Sequence, residues 1–137
     1  AGPEREDVLF GLRDDHPAWG IQSKAEWSIE SKNSVIDGKW HFLAGTYDGK
    51  SLRIYVNGKL EGEKKYGGGI APSDLDLWIG GDDYGRPTDH FPGIIDEVRI
   101  YKHALNENQI QKVKEEPAML KADGNSTTTW GTIKSLQ

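Results

Sequence analysis

The segment 38–60, GKWHFLAGTYDGKSLRIYVNGKL, decides how this chain folds. Two strand-like runs, 40–47 (WHFLAGTY) and 52–56 (LRIYV), each end in a turn dipeptide, Asp48-Gly49 and Asn57-Gly58. Tight hairpin turns need positive φ, which Asn, Asp and Gly tolerate, so both dipeptides predict that the chain reverses. The two runs therefore predict an antiparallel hairpin. Side chains alternate along a strand, which puts Leu52, Ile54 and Val56 on one face and Arg53 and Tyr55 on the other.

Outward from this hairpin the pattern repeats. Strand-like runs stand at 8–13 (VLFGLR), 19–22 (WGIQ), 27–31 (WSIES), 75–79 (LDLWI) and 94–101 (IIDEVRIY), making about seven before residue 102. Short strands of this kind, separated by turn residues, are the signature of an all-β domain. One helix is expected after them. Asn106 and Gln109 have capping-box spacing, Ile110 and Val113 share a helical face, and Pro117 stops the run. The chain divides into a charged lead (1–7), one domain (8–116) and a polar tail (117–137) that carries a lone Trp130 and the sequon Asn125-Ser126-Thr127.

Composition agrees and excludes several classes. The 137 residues carry 17 Gly and 6 Pro beside 5 Trp and 5 Tyr, the mixture expected of turns between aromatic strands. No apolar run approaches the ~18 residues of a membrane-spanning helix. The net charge of -5 argues against binding a nucleic-acid backbone. With no Cys, disulfides and thiolate chemistry are excluded.

The 38–60 stretch resembles the central hairpin of laminin G-like, concanavalin A-like jelly-roll domains, in which a Trp-His pair opens a strand and T-Y-D-G makes the turn. Residues 77–81 (LWIGG) and 91–101 (FPGIIDEVRIY) are similar to that family's closing signature. The resemblance implies an antiparallel β-sandwich with one short C-terminal helix. It covers about the later two-thirds of such a domain. The family's opening F-D-G-x-D-D-Y-like segment and aromatic strand pair are missing ahead of residue 8. A sandwich of this kind is either completed by another chain or protomer, or closed differently, with the tail around Trp130 filling part of the gap.

Candidate site residues follow. Alternation places Asp96 on the face of Ile94, Val98 and Ile100, so its carboxylate is expected among apolar side chains. There it needs either a cation or backbone N–H donors. The loop between two motif strands holds Asp82, Asp83, Tyr84, Arg86, Asp89 and His90, with Trp78 just before it. Its hard oxygens suit Ca²⁺, and its rings suit stacking on a sugar; an ordinary solvated turn has the same composition. Asp14 and Asp15 form a second acidic loop. The metal candidates are thus Asp96, Asp83, Asp89, Asp14 and Asp15, and the ligand candidates Asp82, Asp83, Tyr84, Arg86, Asp89, His90 and Trp78. Trp40 is expected in the core.

Hydrolysis of glycosides needs paired carboxylates on one strand face. Glu61-Gly62-Glu63, read as a turn, and Asp74-Leu75-Asp76 lack that pattern, so no catalytic residue is assigned. The resemblance implies a non-catalytic recognition module that binds a glycan or glycoconjugate with Ca²⁺ assistance. Such a module would be secreted or displayed at the cell surface, and the absence of Cys fits a bacterial source. The competing reading is an assembly protein completed by a partner chain or as a homo-oligomer.

Overall fold

The computed structural model describes residues 7–22, 28–70, 77–81, 90–116 and 132–136. Two antiparallel sheets and one helix stack in three layers. The small sheet runs in the order β1 (Asp7–Arg13), β2 (His16–Gln22), β3 (Ser28–Glu30). The large sheet has the order β6-β5-β4-β8-β7, with β4 Trp40–Tyr47, β5 Ser51–Val56, β6 Lys59–Lys65, β7 Ile94–Val98 and β8 Thr132–Leu136. Helix α1 spans Glu107–Glu115. This is the β-sandwich with one short helix that the sequence predicts.

The central hairpin forms in the expected register, Leu43 opposite Val56 and Tyr47 opposite Leu52. Its two faces bury separately. Inward, Leu52 and Ile54 pack on Ile21 and Ile29 of the small sheet, beside Trp19. Leu43 and Val56 pack on Val35, with Phe10 and Leu12 of β1 against them. Outward, Phe42 and Tyr55 meet Ile110 of α1, flanked by Leu105 and Val113. Burial of the Tyr55 side chain pushes its phenol above the ordinary 10.0.

The capping box closes as predicted. The Asn106 side chain accepts from Gln109 N at 2.9 Å, and Asn106 N donates to the Gln109 side chain at 2.9 Å. At the other end the Arg99 guanidinium donates to the carbonyls of Val113 (3.2 Å) and Glu116 (3.0 Å), where the helix leaves acceptors unpaired.

Two stretches differ from the expectation, and the polar tail joins the sheet, in line with the closure by the tail that the sequence left open. The Glu61-Gly62-Glu63 stretch lies within strand β6, paired to β5 through a bulge, and not in a turn. Residues 77–81 form no strand, and Leu77, Trp78 and Ile79 are all exposed, so no alternation holds there. A strand from the polar tail, β8, lies between β4 and β7, with Trp40 opposite Leu136 and Leu136 opposite Ile94. Trp27, Trp130 and the Asn125 sequon lie outside the described residues. Among the described residues no helix is long and apolar enough to cross a membrane.

Candidate functional site

The Trp-His pair at the start of β4 is held by a chain of side-chain hydrogen bonds. Asp37 Oδ1 accepts from Lys39 N (3.0 Å) and lies 2.7 Å from His41 Nε2. The other ring nitrogen, Nδ1, lies 3.0 Å from Asn57 Nδ2. Asn57 Oδ1 accepts from Phe42 N at 3.0 Å, and Asn57 N donates to Phe42 O at 2.7 Å. The Phe42 donor fixes which way the Asn57 amide points, so Nδ2 donates to His41 Nδ1 and the proton of neutral His41 sits on Nε2, toward Asp37. Asn57 and Gly58 supply the turn at φ 52° and 83°. The His41 hydrogen bond holds the Asp37 carboxyl below its usual value.

Beside this clamp lies an open depression of about 450 Å³ lined by Trp40, His41, Phe42, Asp96 and Lys114. Its geometry follows from strand register. Phe42, Lys134 and Asp96 occupy one row across β4, β8 and β7, so Phe42 and Asp96 belong to one face. Trp40 and Ile94 share the neighbouring row. Helix α1 covers Phe42 but not the sheet edge, which leaves Trp40 45% exposed and Ile94 55% exposed. Lys114, one turn after the buried Ile110, borders the depression from the helix.

This arrangement corrects two expectations. Asp96 is exposed, not set among apolar side chains, because β7 is the sheet's edge strand. Its Oδ1 accepts from Glu97 N at 2.8 Å, and Glu97, at φ 53°, breaks the alternation that the sequence suggested. Trp40 is a half-exposed floor residue and not core. Lys114 had no sequence motif to mark it; its place four residues after Ile110 was the available signal.

The remaining candidates separate. Asp14 and Asp15 are the exposed tip of the β1–β2 turn, at φ 47° and 69°, and Asp15 O accepts from Val35 N at 3.2 Å. His90 is exposed, and its ring lies so close to Gly81 that a β-carbon there would meet Cδ2 at 2.5 Å. Phe91 N donates to Gly80 O at 2.8 Å, which holds these two residues together. Asp82, Asp83, Tyr84, Arg86 and Asp89 lie outside the described residues. Among the described residues no three His, Asp or Glu side chains are placed to share a metal ion. Calcium takes six to eight oxygens, so Asp14, Asp15 and Asp96 do not form its cage on their own.

A second charged group is structural. Asp48 receives Arg53 Nη1 (2.8 Å), Ser51 N (2.8 Å) and Lys50 N (2.9 Å). These donors, Arg53 foremost, hold its carboxyl far below the carboxylate range, and Asp48 in turn raises Arg53. Glu63 takes the other arm of Arg53 at 3.3 Å, and Glu61 binds Asn33 N (3.1 Å) and Nδ2 (2.9 Å).

Comparison with known proteins places residues 3–111 within the family model Laminin_G_3, described as the concanavalin A-like lectin/glucanases superfamily. The chain is 28% identical over 108 residues to pappalysin-1 of Homo sapiens, covering 74% of this chain and 6% of that protein. It is 25% identical over 112 residues to the Sushi, von Willebrand factor type A, EGF and pentraxin domain-containing protein 1 of Rattus norvegicus, covering 74% and 3%. The chain thus spans a small part of these curated relatives' lengths. It is also similar to the crystal structure of an S-layer domain-containing protein (residues 221–444) from Clostridium thermocellum ATCC 27405. That match has 21% identity and a TM-score of 0.49, and covers 83% of this chain and 58% of that one.

Proposed function

This chain belongs to the Laminin_G_3 family of the concanavalin A-like lectin/glucanases superfamily, and on that premise we propose that it is a non-catalytic extracellular recognition module that binds glycans. The observation that carries the reading is the Trp40 depression. A half-exposed indole offers a flat apolar face to a sugar ring, and Asp96 and Lys114 supply an acceptor and a donor at its rim for hydroxyl groups. Few, placed polar groups around an aromatic surface are what orient a small polar ligand. Among the described residues Asp96 is the carboxylate that lines the depression, and glycoside hydrolysis commonly employs two; the arrangement supports retention of a sugar. Calcium enters the proposal only through the 82–89 loop, where Asp83 and Asp89 would contribute oxygens.

A glycan array run on the whole chain, with and without EDTA, tests this. Binding that weakens about tenfold in Trp40→Ala, equivalent to about 1.4 kcal/mol, and falls further in Asp96→Asn supports the reading. Retention of no glycan overturns it. If Trp40→Ala binds like the parent while Asp83→Ala with Tyr84→Ala abolishes binding, the site is the 82–89 loop and the Trp40 assignment fails.

A further inference from the structure

The side chains that hold His41, next in sequence to Trp40, form a chain with only one satisfied protonation state. Neutral His41 accepts from Asn57 Nδ2 at Nδ1 and donates from Nε2 to Asp37, while Asn57 Oδ1 is already engaged by Phe42 N. Adding a proton places a second donor on Nδ1, facing the Asn57 NH₂. Rotating that amide by half a turn relieves the clash at His41 but then turns NH₂ toward the Phe42 N–H. No orientation of Asn57 satisfies both neighbours, so either its exposed bond to His41 or its part-buried bond to Phe42 N is given up.

We infer that the Asp37–His41–Asn57 chain is a proton-sensitive positioning element that holds the Trp40 depression in its ligand-accepting form while His41 is neutral, and releases it on acidification. The inference rests on the glycan-binding reading for its outcome and on hydrogen-bond geometry for its cause. His41 and Phe42 both line the depression, and the Asn57 side-chain oxygen ties Phe42 N of β4 to the β5–β6 turn. Loss of that tie loosens the stretch that carries Trp40. Among the described residues the charged groups around His41 are Asp37 and Lys39 from the preceding turn, with Asp96 from β7 and Lys114 from α1 lining the same depression. Asp37 is hydrogen-bonded to the ring and keeps that contact in both states. The selectivity therefore resides in the neutral Asn57 amide. Asp48 of the β4–β5 turn and Glu63 of β6 are engaged by Arg53, and Glu61 of β6 by Asn33.

Replacing Asn57 by Asp reverses the logic and keeps the turn, because Asp also tolerates the left-handed region. A carboxylate accepts from protonated Nδ1 and from Phe42 N together, but offers no donor to neutral His41. The test measures affinity for a glycan retained on the array between about pH 8 and pH 5, the span over which histidines generally titrate, for the parent, Asn57→Asp and His41→Gln. The expected result is severalfold weaker binding of the parent at acid pH, the opposite trend in Asn57→Asp, and a flat profile in His41→Gln. Parallel trends in the parent and Asn57→Asp would overturn the inference. If no glycan binds, the proposed function fails separately. The switch is then read by NMR from the hydrogen-exchange protection of Phe42 N–H, which is expected to fall at acid pH in the parent and to rise in Asn57→Asp. The same pH dependence of that protection in both proteins also overturns it.

Discussion

Trp19 of β2 sits against Gly45 of β4 so closely that a β-carbon at position 45 would lie 2.7 Å from the indole Cγ and Cδ2 and 3.0 Å from Phe10 Cε2. The indole Nε1 donates to Thr46 O at 3.2 Å, so the ring is fixed and cannot simply swing away. The two sheets therefore meet at one point through the absence of a side chain. Gly45→Ala is expected to destabilise the fold by about 1–3 kcal/mol, the usual cost of overpacking. Urea unfolding should show a lower midpoint with an unchanged slope, because the same surface is exposed. An unchanged midpoint would mean that the sheets separate easily at this point.

Acid stability should follow Asp48 and Asp37. Both carboxyls are held below their usual 3.8 in the folded protein, Asp48 mainly by Arg53 and Asp37 mainly by His41. A folded-state pKa below the unfolded one adds stability that is fully present above the unfolded value and is lost as pH falls toward the folded value. Melting temperature is thus expected to lose this contribution as pH drops through and below about 4. Both groups are solvent-facing, so the effect is modest and salt-sensitive. Asp48→Asn should flatten part of the decline while lowering the melting temperature at pH 7. An equally steep acid limb in Asp48→Asn would show that other carboxylates govern it.

Much of the fold was legible because local chemistry left few choices. Asn57-Gly58 can serve a tight turn, and Asn106 with Gln109 leaves a helix start with two of its donors satisfied. What escaped was set by tertiary position. Glu61-Gly62-Glu63 reads as a turn, yet it lies in Lys59–Lys65, which pairs on β5, because charged residues suit an edge strand. Glu97, at φ 53°, breaks the alternation that would set Asp96 among apolar side chains, and Trp40, expected in the core from the family resemblance, is 45% exposed although Phe42 two residues on packs on Ile110 of α1. Lys114 belongs to the depression through the packing of Ile110, which no local motif encodes.

Strand β1 presents a different liability. Of the sheet edges among the described residues, β6 is protected by Lys and Glu, β7 carries Asp96 and Glu97, and β3 is three residues long. β1 runs VLFGL without a charge between its terminal Asp7 and Arg13, with Val8 and Leu9 nearly half exposed. An apolar edge of this length invites edge-to-edge association. Leu9→Lys is expected to raise solubility and slow heat-induced aggregation, with a change in stability within about 0.5 kcal/mol. Turbidity on heating and a urea midpoint measure the two effects separately. Aggregation at the parent's rate would place the sticky surface elsewhere, with the exposed Leu77–Ile79 run next to be tested.

Packing and recognition at the depression can be separated by comparing two substitutions on neighbouring layers. Ile110 is 1% exposed and fills the space between Phe42 and Tyr55, so Ile110→Ala should remove about 2–5 kcal/mol of stability through transfer and cavity terms. The same change loosens the helix that carries Lys114, and glycan affinity should fall with it. Trp40→Ala removes a half-exposed ring from the sheet surface and should cost far less stability while weakening binding about tenfold. The ratio of binding loss to stability loss is therefore high for Trp40 and low for Ile110. Melting curves and glycan affinities measured on both variants decide the matter. A large drop in melting temperature for Trp40→Ala would recast the indole as a structural lid over β8, and its exposed face as incidental to recognition.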